Sequence, residues 1–221
     1  MTTKPDAALG KAMETRQSVR NFDPDVRIPH AEVTEMIQEA ISAPSACNLQ
    51  SWYFAVVDTP AGKEQLRSFF LPFNRPQLDT ASTIVMIFGN TKSHEAYRDL
   101  WQKAYENGQV TAEKRDEILK TFLPFYESAT QDFLKNDATV DASLAAMQLM
   151  LAAQLHGYVT NPIGGYDPSK AAIAMGLDPK QYVPVMAVAI GKPAPAGNLG
   201  ENLAVKSIRY APEQVMKFIT D

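Results

Sequence analysis

The sequence predicts a layered α/β or α+β domain on three observations. Segments 52–57 (WYFAVV), 83–88 (TIVMIF) and 183–190 (VPVMAVAI) are short apolar runs rich in β-branched and aromatic residues, the pattern of buried strands. Stretches of helical periodicity separate them, which argues for layers of helix against sheet. One of those stretches, 141–156 (DASLAAMQLMLAAQLH), is apolar around its whole axis, and such a helix is expected to be buried on all sides. Helical content is high and the strand count low.

The elements follow in order. Residues 1–16 carry no apolar core of the kind a signal peptide needs. After Pro29, Val33, Met36, Ile37, Ala40 and Ile41 fall on one helical face, and the helix is expected to stop at Ala43-Pro44, where proline blocks continuation. Residues 60–70 read as a second helix. Segment 93–135 is polar and helical, broken at Gly108, and carries Tyr97, Trp101, Tyr105, Phe122, Phe125 and Tyr126. Residues 168–176 form a short helix closed by glycine. Segment 191–200 (GKPAPAGNLG) is an exposed linker. It precedes either a final surface element or a C-terminal arm, residues 192–221, that embraces a partner subunit.

The chain has 221 residues, which fits one domain spanning 1–221, since a domain takes roughly 100–200 residues. Lys and Arg number 21 against 25 Asp and Glu, for a net charge of −4. No basic excess points to nucleic acid or to an anionic membrane. No apolar run approaches the roughly 18 residues of a membrane span. The single cysteine, Cys47, excludes an intrachain disulfide framework and suits a reducing cytoplasm.

The motifs G-x-G-x-x-G, G-x-x-x-x-G-K-[ST], G-x-S-x-G and H-E-x-x-H are all missing. Cys47 has no histidine in motif relation to it, so it reads as a small core or loop residue. Four clusters remain. In Arg16-Gln17-Ser18-Val19-Arg20, an extended backbone puts residues 16, 18 and 20 on one side. Two guanidinium forks and a hydroxyl there suit an oxyanion, although the segment alone reads more simply as a polar surface turn. The loop Ala43-Pro44-Ser45-Ala46-Cys47-Asn48-Leu49-Gln50-Ser51 offers short polar side chains and amides to a flat heteroaromatic ligand, or caps its own backbone. Asn161-Pro162-Ile163-Gly164-Gly165 lets the backbone approach such a ligand, or forms a plain turn. Lys206-Ser207-Ile208-Arg209 is either a second phosphate clamp or a solvated basic turn.

In this order, over about residues 10–215, the clusters resemble the FMN-dependent nitroreductase family. Arg16, Ser18, Arg20, Phe22 and Asp23 are similar to its R-x-S-x-[RK]-x-F-[DS] opening. Ala43-Pro44-Ser45 with Asn48, Gln50 and Trp52 are similar to its A-P-S-x-x-N-x-Q-P-W loop, with Ser51 in place of the proline. The helix and turn of 141–167 and the closing strand and basic arm of 183–209 complete the resemblance.

The resemblance implies a three-layer α/β/α fold with a mainly antiparallel sheet. It also implies an intertwined homodimer with FMN at the subunit interface and 93–135 as a helical excursion over the active site. By the same resemblance, Arg16, Lys206 and Arg209 would bind the FMN phosphate, with Gln17 and Ser18 beside it. Arg20 and Asn74 would face the pyrimidine ring, and Ile163, Gly164 and Gly165 would lie near flavin N5 and O4. Pro44, Ser45, Ala46 and Asn48 would come from the partner. The implied activity is two-electron reduction of a small nitroaromatic or quinone with NADH or NADPH as donor. An ene-reductase, a dehalogenase or a non-catalytic flavin-binding protein are the alternatives.

Overall fold

A computed structural model describes residues 7–195 and 207–219. Helices α1 (Ala7–Thr15) and α2 (His30–Ala40) precede β1 (Trp52–Val57). Helices α3 (Pro60–Arg67) and α4 (Arg75–Thr80) lead to β2 (Thr83–Asn90). Helices α5 (Tyr97–Glu106), α6 (Ala112–Glu127) and α7 (Gln131–Leu155) follow, then β3 (Val159–Ile163), α8 (Pro168–Ala174), β4 (Tyr182–Gly191) and the short α9 (Pro212–Val215). The strands form one sheet in the order β1-β2-β4-β3, antiparallel at every pairing.

The central strands are apolar without alternation because both faces of the sheet are covered. Ile84, Met86, Phe88, Ala187 and Ala189 point to one side, where Phe22, Leu66, Leu78, Phe69 and Ala171 meet them. Val85, Ile87, Val188 and Ile190 point to the other, against Val33 and Met36 of α2 and Ala142, Ala146 and Leu149 of α7. The three-layer expectation holds. A third apolar cluster joins Leu49 to Tyr97, Ile118, Leu123, Tyr126 and Leu134, so the 93–135 helices lean on the loop before β1.

Three expectations are corrected. The segment read as a turn at Asn161-Pro162 is the strand β3. Its sequence hides it, because Thr160, Asn161 and Pro162 neither alternate nor form an apolar run; proline is tolerated because β3 is an edge. Helix α2 ends at Ala40, short of Ala43. Helix α7 begins ten residues before the apolar stretch, where Thr130 accepts a hydrogen bond from Phe133 N–H.

Helix α7 is also not buried all round. Alanines 138, 142, 145, 146, 152 and 153 face the core, while Val140, Leu144, Met147 and Leu155 are exposed. Small residues inward let the helix lie close to the sheet. At Gly89 a Cβ would come within 2.8 Å of the Ala138 backbone. By length and composition α7 passes as a membrane span, with a window of mean hydropathy 1.2, so the expectation that nothing approaches one is corrected. Its packing against β2, β4 and α2 is that of a core helix.

Candidate functional site

Arg16 follows α1 and stays half-buried. With Gln17, Ser207 and Arg209 it lines a cavity of about 270 Å³, to which Glu14 also contributes. Arginines from opposite ends of the chain therefore line one cavity. Lys206 lies outside the described residues. Beyond Arg16 the chain runs extended along the free side of β3. Val19 N–H donates to Thr160 C=O at 3.0 Å, Ser18 bridges to Thr160, and Val19 is buried while Ser18 and Arg20 are exposed. That is the alternation expected of an extended strand.

The same edge carries a second polar center. Asn74 is only 5% exposed and its Nδ2 donates to Gly165 C=O at 2.7 Å; Leu71 N–H donates to the same oxygen at 2.9 Å. A Cβ on Gly165 would lie 2.4 Å from Asn74 Nδ2 and 2.9 Å from the Phe73 ring, so a side chain there would have to displace both. Gly164 faces open space. Among the described residues the N–H groups of Gly164 and Gly165 donate to no partner. Ile163 is core, so it offers a ligand only backbone. Tyr166 anchors this turn by stacking on Phe70 at 5.3 Å, and burial pushes its phenol up to about 12. Next to it, hydrogen bonds from Ser169 hold the Asp167 carboxyl below its ordinary range.

The loop before β1 is unusual in its backbone. Cys47, Asn48 and Gln50 all have positive φ, at 50°, 61° and 54°. Such a conformation is uncommon for non-glycine residues and needs support from its surroundings. The main support is Asp141 of α7, 1% exposed, whose Oδ1 accepts from Ala46 N–H at 2.9 Å and whose Oδ2 accepts from Ser51 N–H at 3.3 Å. Ser45 Oγ accepts from Gln50 N–H at 3.0 Å, and Tyr97 Oη donates to Cys47 C=O at 2.8 Å. Pro44 and Asn48 are exposed; Ser45 and Ala46 are half-buried. Asp141 escaped the sequence reading, although an acid inside an apolar helix is itself a signal, since a buried carboxylate needs partners.

Within one chain these groups do not all meet. The Arg16–Arg209 cavity and the Asn74–Gly165 center belong to the β3 side, whereas the 44–50 loop runs into β1 at the opposite edge. Three strand spacings, about 14 Å, separate the two edges.

The sequence model of the nitroreductase family matches residues 13–192. The chain belongs to the nitroreductase family. It is an oxidoreductase. It is 56% identical over 186 residues, 84% of this chain and 86% of the relative, to a CLA biosynthesis enone reductase of Lactiplantibacillus plantarum. It is 39% identical over 196 residues, 89% of this chain and 93% of the relative, to YdgI of Bacillus subtilis strain 168, provisionally named an NAD(P)H nitroreductase. Its fold matches the crystal structure of a provisionally named nitroreductase in complex with FMN from Exiguobacterium sibiricum, with TM-score 0.89, 35% identity, and coverage of 99% of this chain and 100% of that one.

Proposed function

We propose that this nitroreductase-family chain is a cytoplasmic, homodimeric FMN enzyme that passes two electrons from NADH or NADPH to a small electron-poor acceptor, with donor and acceptor using the site in turn. The observation that carries the reading is the donor set along the β3 edge. Arg16 and Arg209 suit a phosphate dianion. Asn74 and the unengaged amides of Gly164 and Gly165 suit the polar edge of a flat heterocycle. Those residues fit FMN, and the FMN-bound relative has the same fold. When bound, FMN supplies hydride exchange at its N5.

The chain's own residues bind, orient and compensate charge. Arg16 and Arg209 hold the phosphate, with Gln17 and Ser18 beside them. Arg20 and Asn74 face the pyrimidine ring, and fixed amides at Gly164 and Gly165 stabilise negative charge there without reorganising. No side-chain acid or base is required of the protein.

The partner supplies Pro44, Ser45, Ala46 and Asn48. Three observations support a dimer. The exposed residues Val140, Leu144, Met147 and Leu155 form one stripe along α7. Leu9, Met13, Leu151 and Leu155 line an apolar groove of about 490 Å³ next to it. All described residues of 207–219 are exposed, including Ile208, Tyr210, Phe218 and Ile219, as expected of an arm whose packing partner is another chain.

The acceptor is a nitroaromatic or a quinone. A second reading, saturation of the C=C bond of an enone, is favoured by the 56% identical enone reductase. The test is anaerobic reduction of the FMN-loaded protein with NADH and NADPH separately, followed by a panel of quinones, nitroaromatics and enones. Bleaching of the yellow protein and recovery on one acceptor class supports the reading and names the class. Protein that takes up no FMN ends it.

A further inference from the structure

We propose that Asp141 is a positioning residue for the flavin: it holds the 44–50 loop in the one shape that can meet the cofactor across the subunit boundary. The inference rests on the flavin reading above and extends it to a residue that touches neither cofactor nor substrate.

Asp141 is buried in α7 and, among the described residues, forms no ion pair. Its charge is met by the amides of Ala46 and Ser51, one at each end of the strained stretch. Both oxygens are used, so the two ends are fixed relative to one rigid helix. Between them lie Cys47, Asn48 and Gln50, each in the left-handed region. A free loop of this composition would relax toward negative φ. The residues expected to meet the partner's flavin, Ala46 and Asn48, sit inside the clamped stretch. The helix that carries the clamp is also the one whose outer stripe is left apolar, with Val140 just before Asp141 and Leu144 three residues after it. One element thus sets both the subunit contact and the loop's shape.

An asparagine at 141 has one acceptor and turns its NH2 toward the second N–H, so it can close only half of the clamp. The experiment titrates FMN into apo wild type, Asp141→Asn and the double variant Asp141→Asn/Gln50→Gly, reading flavin fluorescence quenching and the visible circular dichroism of bound FMN. Melting temperature and sedimentation are measured alongside.

Asp141→Asn is expected to raise the FMN Kd at least about tenfold, as for loss of a hydrogen bond to a charged group, and to change the dichroism of whatever flavin binds, while remaining dimeric. Gln50→Gly is expected to recover part of the affinity, because glycine enters the left-handed region without steric cost. A purely structural residue would shift melting but leave the dichroism unchanged and show no rescue.

If Asp141→Asn does not fold, Ala46→Pro deletes one of the two clamp bonds from the loop side. Ser45, at φ −141° and ψ 156°, already has the backbone that precedes proline. Wild-type FMN affinity and dichroism in either folded variant overturns the inference alone. Wild type that takes up no FMN overturns the flavin reading and this inference with it.

Discussion

At Gly165 a side chain would have to push Asn74 and Phe73 aside, whereas Gly164 faces open space. The pair therefore separates packing from binding. Gly165→Ala forces its methyl onto Asn74 Nδ2 and the Phe73 ring, and is expected to lower stability by about 1–3 kcal/mol in thermal melts. Gly164→Ala meets no atom within 4 Å and should melt like wild type, losing FMN affinity only through crowding of the bound ring. The paired arginines make the complementary case. On the proposed reading, Arg16→Ala with Arg209→Ala removes two charge-assisted contacts worth about 1.5–3 kcal/mol each, so FMN affinity should fall by about a hundredfold or more in equilibrium titration. Apo stability should move far less than FMN affinity, since Arg209 is exposed and Arg16 only half-buried. Candidates of this kind can be picked out from the sequence because the chemistry proposed for them belongs to their side chains. Asp141 was not, because its partners are backbone amides some ninety positions away, and an amide leaves no mark in a sequence.

Helix α7 lays a row of alanines, with Leu149 and Met150 among them, against the core and leaves Val140, Leu144, Met147 and Leu155 outside. Its apolar stretch was easy to read, but composition alone does not tell which face a sheet will claim. That is decided by Gly89 and the alanine row that fits over it. Strand β3 was hidden for a related reason: an edge strand tolerates a proline that a central strand would reject, and so loses its signature. The element also carries a titratable strain. Burial, and then the negative charge of Asp141, hold the Asp137 carboxyl above the ordinary range. A carboxyl raised in the folded state favours folding while protonated, and that contribution is lost as pH rises through its folded value. Asp137→Asn should accordingly raise the melting temperature at pH 7, though only modestly because solvent reaches the half-buried group. The gain should vanish below about pH 4, where the carboxyl is protonated in both states. A gain that persists in acid would mean that packing, not charge, is responsible.

At the scale of the molecule, the fold class and its three layers were readable from three apolar strands and the helices between them. What one chain does with its two sheet edges was not, because on the proposed reading that depends on a second copy. The exposed stripe on α7 puts this to a direct test. Met147→Glu sets a charge in the middle of the stripe, and is expected to yield a folded monomer by sedimentation with a weakened hold on FMN. Retention of both the dimer and the flavin would place the subunit contact elsewhere. The separation of the Arg16–Arg209 cavity from the 44–50 loop has a genetic consequence as well. If each site draws one half from either protomer, a variant crippled at Arg16 and a variant crippled at Asp141 are defective in different halves. Co-expressed, they should complement: each mixed pair regains one intact site, while either variant alone has none.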